Sequence, residues 1–357
     1  MLLLGAAISA VAKPERCRLF LWSSRADFAG FESPGGVGPT GASRRMVSPT
    51  TQVPGGFDQL VVSWNTRTPP DTQAVIFAQV RAGGEWSRQF KIALWHGFDE
   101  APQRTSFPGQ EDAIAKLDVD TLLLKRSGDA FRVTIDLDPG PTPEAPELRL
   151  LAVQTLNTEV APDTHRAEAA IRPMELPVPE LSQLALPEGH AWCSPTCVAM
   201  VLRYWAKKLG REDLQAGMVE AARGIRDNAR GSTGNWPFNT AFVAEFEGMA
   251  AHVDRFESVG QIAQWLAAGV PVIVSLDRNV LTRTKRGRMG HLVVARGIAA
   301  NGDIILNDPW DPANEHKGIR VSYPRADFER AWLTGKGSRG TVYLIRPEGW
   351  KTVSRSD

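Results

Sequence analysis

Midway along this chain the hydrophobic period changes, and that change limits the fold more than any other feature of the sequence. Up to about residue 158 the apolar side chains tend to recur at every second position. Phe131, Val133, Ile135 and Leu137 alternate with Arg132, Thr134 and Asp136, as in an antiparallel strand with one face in a core. Trp86, Phe90, Ile92 and Leu94 share one parity, with Ser87, Gln89 and Lys91 on the other. Runs at 60–64, 74–78, 122–124 and 148–153 add further strands, separated by Gly-, Pro- and Asp-rich turns. No helical pattern intervenes. Residues 15–158 are therefore expected to form an all-β sandwich of jelly-roll type.

Residues 159–180 carry Pro162, Pro173, Pro177 and Pro179 and read as a stiff linker. Beyond them, helices come first and strands later. Val198, Val201, Leu202 and Trp205 recur at three- and four-residue steps, a helical stripe. Ser258 to Gln261 is a capping-box start, and the apolar run 270–276 is a buried strand. A helix begins at Pro324, carrying Phe328 and Trp332 and stopping near Gly335, and 341–345 forms a last strand. Residues 181–350 are thus expected to be a second, α+β domain, and 357 residues give each domain enough chain for its own core.

Composition narrows the function. The net charge is +1 and no basic run is interleaved with aromatics, which argues against nucleic acid as a partner. Three cysteines rule out a disulfide framework and leave at least one thiol free. Residues 1–14 read as a leader: Met1 to Ala12 is too short to span a bilayer and ends in the small-x-small pattern Ala10-Val11-Ala12. Export to the periplasm or medium is the expectation; the basic start of a signal is absent, so a plain buried segment of a cytoplasmic protein is the alternative. No later stretch reads as an integral membrane segment.

One thiol stands at the mouth of a helix, in Trp192-Cys193-Ser194-Pro195-Thr196. Pro195 suits a first turn, and Ser194 or Thr196 can bond the free amides there. The positive end of the helix dipole favours thiolate, the nucleophilic form. A base and a group to orient it are then required. Gly290-His291-Leu292-Val293-Val294 heads a short apolar strand, Asn301-Gly302 marks a hairpin turn, and Ile304 to Pro309 returns. A two-residue turn pairs Ala295 with Asp308 and a four-residue loop pairs Val293 with it. Either way His291 and Asp308 share a face. The longer loop makes them diagonal neighbours about 7–8 Å apart between backbones, and it is the register expected here. Asn307, on the opposite face, should then be dispensable for catalysis.

Other readings of these residues exist. Cys193 alone could be a buried structural thiol, and His190, Cys193 and Cys197 could be metal ligands, but no convincing fourth ligand accompanies them. No metal or cofactor is implied. Cys197 is expected in the core, and Cys17 at the surface or lost with the leader.

Taken together, Trp-Cys-Ser-Pro-Thr opening a helix, Gly-His-Leu-Val-Val on a strand and Asn-Asp-Pro after it resemble the C39-like branch of the papain-like cysteine peptidases. Gly231-Ser232-Thr233-Gly234-Asn235-Trp236-Pro237-Phe238-Asn239-Thr240 resembles a block typical of secreted bacterial members. The resemblance spans about residues 178–347. It implies a papain-like peptidase domain with Cys193 as nucleophile, His291 as general base and acid, and Asp308 holding the imidazole. It also implies an upstream glutamine at the oxyanion; Gln183 is the only one nearby, ten residues before Cys193 where six is usual. Trp192, Asn235 and Trp236 are candidates for lining the substrate cleft.

The expected activity is hydrolysis of a peptide or cell-wall-type amide through a thioester acyl-enzyme. An acyltransferase of transglutaminase type with the same triad, and a catalytically silent binding module, are the alternatives. The sandwich is expected to fold independently and to carry no chemistry.

Overall fold

The computed structural model describes residues 15–34, 44–97, 103–141, 144–284, 287–312, 318–334, 338–350 and 353. The apolar segment Met1 to Ala12 and the helix stop at Gly335 lie outside these. Among the described residues the strands form two antiparallel sheets, one of ten strands and one of seven.

The first sheet runs in the order Cys17–Trp22, Glu147–Leu156, Thr51–Arg67, Thr121–Asp138, Gln73–Ala82, Phe90–His96, Thr105–Ser106, with three short strands at its margins. The alternation at Phe131, Val133, Ile135 and Leu137 does point those side chains into the core. Hydrogen bonding, however, joins all ten strands into one connected sheet, where a sandwich would have two. The ladder between Thr51–Arg67 and Thr121–Asp138 shifts register at Gln52/Phe57 and Phe57/Gln59, irregularities of the kind that bend a strand and let a sheet curl over its own core. A second shift opposite Ile76/Phe77 corrects the parity of the strand Phe90–His96. Past that point Ala93 and Trp95 face inward and Leu94 is half-exposed, the reverse of its expected side.

The second sheet runs Met249–Arg255, Thr341–Pro347, Val272–Asp277, Gly290–Ile298, Ile304–Asn307, Arg320–Tyr323. Against it lies the helix Cys193–Leu209, ended by Gly210 in the left-handed region at φ 67°. Its stripe residues are buried, but so is nearly every residue from Ser194 to Ala206. The first three turns are therefore enclosed on all sides, a stronger constraint than a one-sided stripe. Ser258 caps the helix Val259–Ala267 as expected, its Oγ accepting from the Gln261 amide at 3.2 Å.

The Pro-rich segment is a strap, not a free tether. Met174–Glu175 pairs with Ile298 and Gly297, the Leu176 amide donates to the Arg296 carbonyl at 2.8 Å, and Val178 is buried. The two halves also share one continuous hydrophobic cluster. Trp64 and Trp95 of the first sheet meet Phe238 edge-to-face, with ring centroids 6.0 and 5.4 Å from it. Arg104, fully buried, pairs with Glu245 at 2.9 Å. Strand Met249–Arg255 is the outer edge of the second sheet, where unpaired amides are a liability. Side chains close it: Asn65 donates to the Ala251 carbonyl at 2.7 Å and accepts from its amide at 3.0 Å, and Ser63 accepts from the Val253 amide at 3.1 Å.

Candidate active site

Cys193 is the first residue of its helix and is partly exposed. Neither Ser194 nor Thr196 caps that helix: the Ser194 hydroxyl donates to Asn239 Oδ1 at 2.8 Å and Thr196 turns to the Met218 sulfur. One free amide of the helix mouth, that of Ser194, serves the sulfur instead, and a second donor comes from the strand Gly290–Ile298, the backbone N–H of Leu292. A negative sulfur is what such donors favour.

His291 is buried at the start of strand Gly290–Ile298. Its Nε2 lies 2.6 Å from Asp308 Oδ1, which leaves Nδ1 for the hydrogen bond between imidazole and Cys193. The register that produces this is the expected one, reached by another route. Val294 pairs with Asn307 and Ala295 with Leu306, which sets Val293 opposite Asp308. The turn itself is tighter, with the Ala299 amide donating to the Asp303 carbonyl at 2.8 Å. A bulge between Ala295 and Gly297 makes up the missing residue.

Asp308 is held from several sides. Oδ1 also accepts from the Trp310 amide at 3.0 Å, Oδ2 accepts from the Tyr323 hydroxyl at 3.4 Å, and the Arg278 guanidinium stands 4.0 Å away. Burial opposes charge on all three groups, and mutual attraction overcomes it. For His291, the Asp308 carboxylate and then the Cys193 sulfur outweigh desolvation and push the imidazole up to about 10. For Cys193, the His291 contact and the two amides outweigh desolvation and lower the thiol below its ordinary value. Asp308 is likewise held below the usual carboxylate range, chiefly by His291. The arrangement thus favours a thiolate–imidazolium pair.

The other two cysteines differ. Cys197 is buried, donates its S–H to the Leu292 carbonyl at 3.3 Å, and burial pushes its thiol well above the ordinary value. Cys17 is buried in the first strand of its sheet, not at the surface.

Gln183 is buried, and its amide donates to the carbonyls of Gly189 at 2.9 Å and His190 at 3.0 Å. Both donors are thereby spent on the turn leading to Cys193, so in this conformation Gln183 has none free for an oxyanion. Gly189 is obligatory there, since a Cβ would lie 1.6 Å from the Gln183 carbonyl oxygen. The backbone N–H of Cys193 remains suitably placed at the helix mouth.

Asn235 does not line a cleft. It is buried as the cap of helix Trp236–Val243, with Oδ1 accepting from the Phe238 amide and Nδ2 donating to Asp227 Oδ2 at 3.1 Å. It belongs to a buried chain that starts at Ser194 and passes through Asn239, whose Nδ2 donates to the Asn235 carbonyl at 2.8 Å. Asp227 then accepts from the hydroxyl of Ser106, in the first sheet, at 2.6 Å. Trp236 is half-buried and borders a cavity of about 350 Å³ that Asp118, Asp120 and Arg255 also line. Its amide donates to Asp120 at 2.9 Å, and burial pushes that carboxyl up to about 6. Trp192 is the residue before the helix and is partly exposed.

Arg278, Tyr323, Trp310, Asp227 and Asp120 escaped sequence reading. Only Trp310, following Asp308-Pro309, stood close enough to a motif to be found.

Residues 175–339 match the family model described as Peptidase_C39 like family, and residues 38–155 match the one described as Peptidase C39 N-terminal domain. A search of curated proteins found no match. Among solved structures, a Bacillus anthracis crystal structure described as a C39-like peptidase aligns at 20% identity and a TM-score of 0.34, covering 50% of this chain and 100% of that one.

Proposed function

The chain belongs to the C39-like peptidase family, and on that premise we propose that it is a cysteine peptidase with a papain-like catalytic domain, cleaving peptide or related amide bonds. The observation that carries this reading is the join of Cys193, His291 and Asp308 through a single imidazole.

In the proposed cycle the Cys193 thiolate attacks the amide carbonyl carbon, and the Cys193 backbone N–H stabilises the oxyanion. Collapse breaks the C–N bond as imidazolium Nδ1–H passes its proton to the leaving amine. The thioester is then attacked by water, which gives its proton to Nδ1, and the carboxylic acid leaves as the thiolate reforms. Asp308 keeps Nε2–H occupied throughout, fixing ring orientation and tautomer. We further propose that the protein acts after export, the reading that the small-x-small pattern Ala10-Val11-Ala12 suggests.

The direct test is an electrophilic peptide probe followed by mass mapping of the adduct. Labelling confined to Cys193 is expected. Labelling of Cys197, or none in a protein that is demonstrably folded, would defeat the proposal.

Substitutions at the carboxylate probe its positioning role. Asp308→Asn should keep much of the activity, because an amide oxygen still accepts from Nε2–H. Asp308→Ala should lower kcat by on the order of a hundredfold or more. Equal rates in the two variants would remove Asp308 from the proposed triad. Asn307 no longer serves as a neutral control. It does point away from His291, but it is fully buried, accepting from Arg296 at 2.8 Å and donating to the Pro179 carbonyl at 3.0 Å. Asn307→Ala is therefore expected to lower Tm.

A further inference from the structure

A cavity of about 760 Å³ lies where the first sheet meets the strands Met249–Arg255 and Thr341–Pro347 of the second, and none of its lining residues belongs to the Cys193 site. Four guanidiniums line it, each from a separate segment: Arg25, Arg44, Arg149 and Arg346. Two carboxylates oppose them, Glu147 and Glu348. Glu348 is engaged by Arg149 at 3.3 Å.

Arg346 is the unusual member. It is 6% exposed, its Nε has no hydrogen-bond partner among the described residues, and its guanidinium makes one long contact, 3.5 Å, to the Pro347 carbonyl. No ion pair joins Arg25 or Arg44 to another described residue. The one carboxylate that acts on Arg346, Glu348, is already engaged by Arg149; a buried guanidinium so sparsely bonded is costly, and an incoming anion would offset that cost. Apolar side chains, Phe28 and Met46 among them, line the same cavity.

We infer that this cavity binds an acidic peptide segment, whose carboxylates pair with Arg346, Arg44 and Arg25 and whose apolar side chains lie against Phe28 and Met46. A cavity of about 760 Å³ with four guanidiniums against two carboxylates, and with Phe28 and Met46 beside them, has room for several acid and apolar side chains of one extended chain. A bare phosphate instead needs its donors gathered at a point. That the bound segment is part of a substrate rests on the peptidase reading above; the binding itself does not.

The test measures binding without turnover. Titration calorimetry on Cys193→Ala protein uses acetyl-Glu-Leu-Glu-Leu-Glu-amide as ligand, its all-glutamine counterpart as control and inorganic phosphate as competitor. The acidic peptide should bind about tenfold tighter than the control or better, with that preference shrinking in high salt. Arg346→Gln and Arg44→Gln, each added to the Cys193→Ala background, should each weaken it by about fivefold or more. Arg44 is exposed at a strand start, so its variant reports on binding even if Arg346→Gln fails to fold. Equal affinity for the two peptides, or unchanged affinity in the folded variants, overturns the inference. So does full displacement of the peptide by low millimolar phosphate, which would mark a simple oxyanion site. Since no turnover is read, a failure here leaves the peptidase reading intact, and loss of that reading leaves a positive result standing.

Discussion

Cys193→Ala protein should lose activity toward any amide substrate by on the order of 10⁴-fold or more, the loss seen when a nucleophile that works with its base as one unit is removed. Its stability should change little, because the sulfur stands partly exposed at the helix mouth, at the margin of the core. The same geometry sets a pH signature in the native enzyme. The thiol is lowered, so thiolate is present below the ordinary range for cysteine; the imidazole is raised to about 10, so its proton persists until then. The reactive pair is populated between those limits. Iodoacetamide should therefore alkylate Cys193 near pH 6, where Cys197, its thiol pushed up by burial, stays unmodified. Hydrolysis should fall away as pH rises through the imidazole's limit, because the leaving amine then lacks its proton donor. Turnover in Cys193→Ala within tenfold of native, or equal alkylation of the two thiols near pH 6, would exclude Cys193 as nucleophile.

A fragment beginning at Pro177 should fail to fold, the reverse of what a proline-rich linker suggests. Removing the first sheet strips Trp64 and Trp95 from Phe238 and exposes one side of a shared core. It also leaves Glu245 without Arg104, and Asp227 without the Ser106 hydroxyl and amide. Breaking a largely buried ion pair costs about 3–5 kcal/mol, and each orphaned buried polar group about 1–3 kcal/mol. Against a typical total of roughly 5–15 kcal/mol, those losses and the bared apolar surface leave little or nothing. Circular dichroism and a thermal melt decide the matter. A soluble fragment with a cooperative transition would show that the interface is dispensable.

Local chemistry was readable where it repeats or punctuates. Strand alternation around Phe131, the helix stripe behind Cys193 and the cap at Ser258 are properties of a few neighbouring residues, and they are found in place. The diagonal between His291 and Asp308 was also within reach, since two- and four-residue turns give the same parity; the three-residue turn that forms would invert it but for the bulge between Ala295 and Gly297. What the sequence hides is closure over distance. Nothing near Arg104 announces Glu245, and nothing near Ser106 announces Asp227, because partners more than a hundred residues apart leave no periodic trace. Bulges are equally silent: one compensates the turn at Asn301-Gly302, another reverses Leu94. Gln183 shows a third limit, since a side chain's type does not say whether its hydrogens are already taken.

The way Ser63 and Asn65 close the strand Met249–Arg255 bears on how the polypeptide is made. An edge sealed by side chains of a distant strand stays open until that strand is in place. During synthesis the sealing strand Thr51–Arg67 emerges first and waits, so the later half arrives at a finished surface instead of an empty one. A molecule nicked or destabilised in its first half meets the opposite situation. Its bare edge would present the amides of Ala251 and Val253 in extended form, ready to ladder onto a second copy, and such damaged molecules are expected to self-associate.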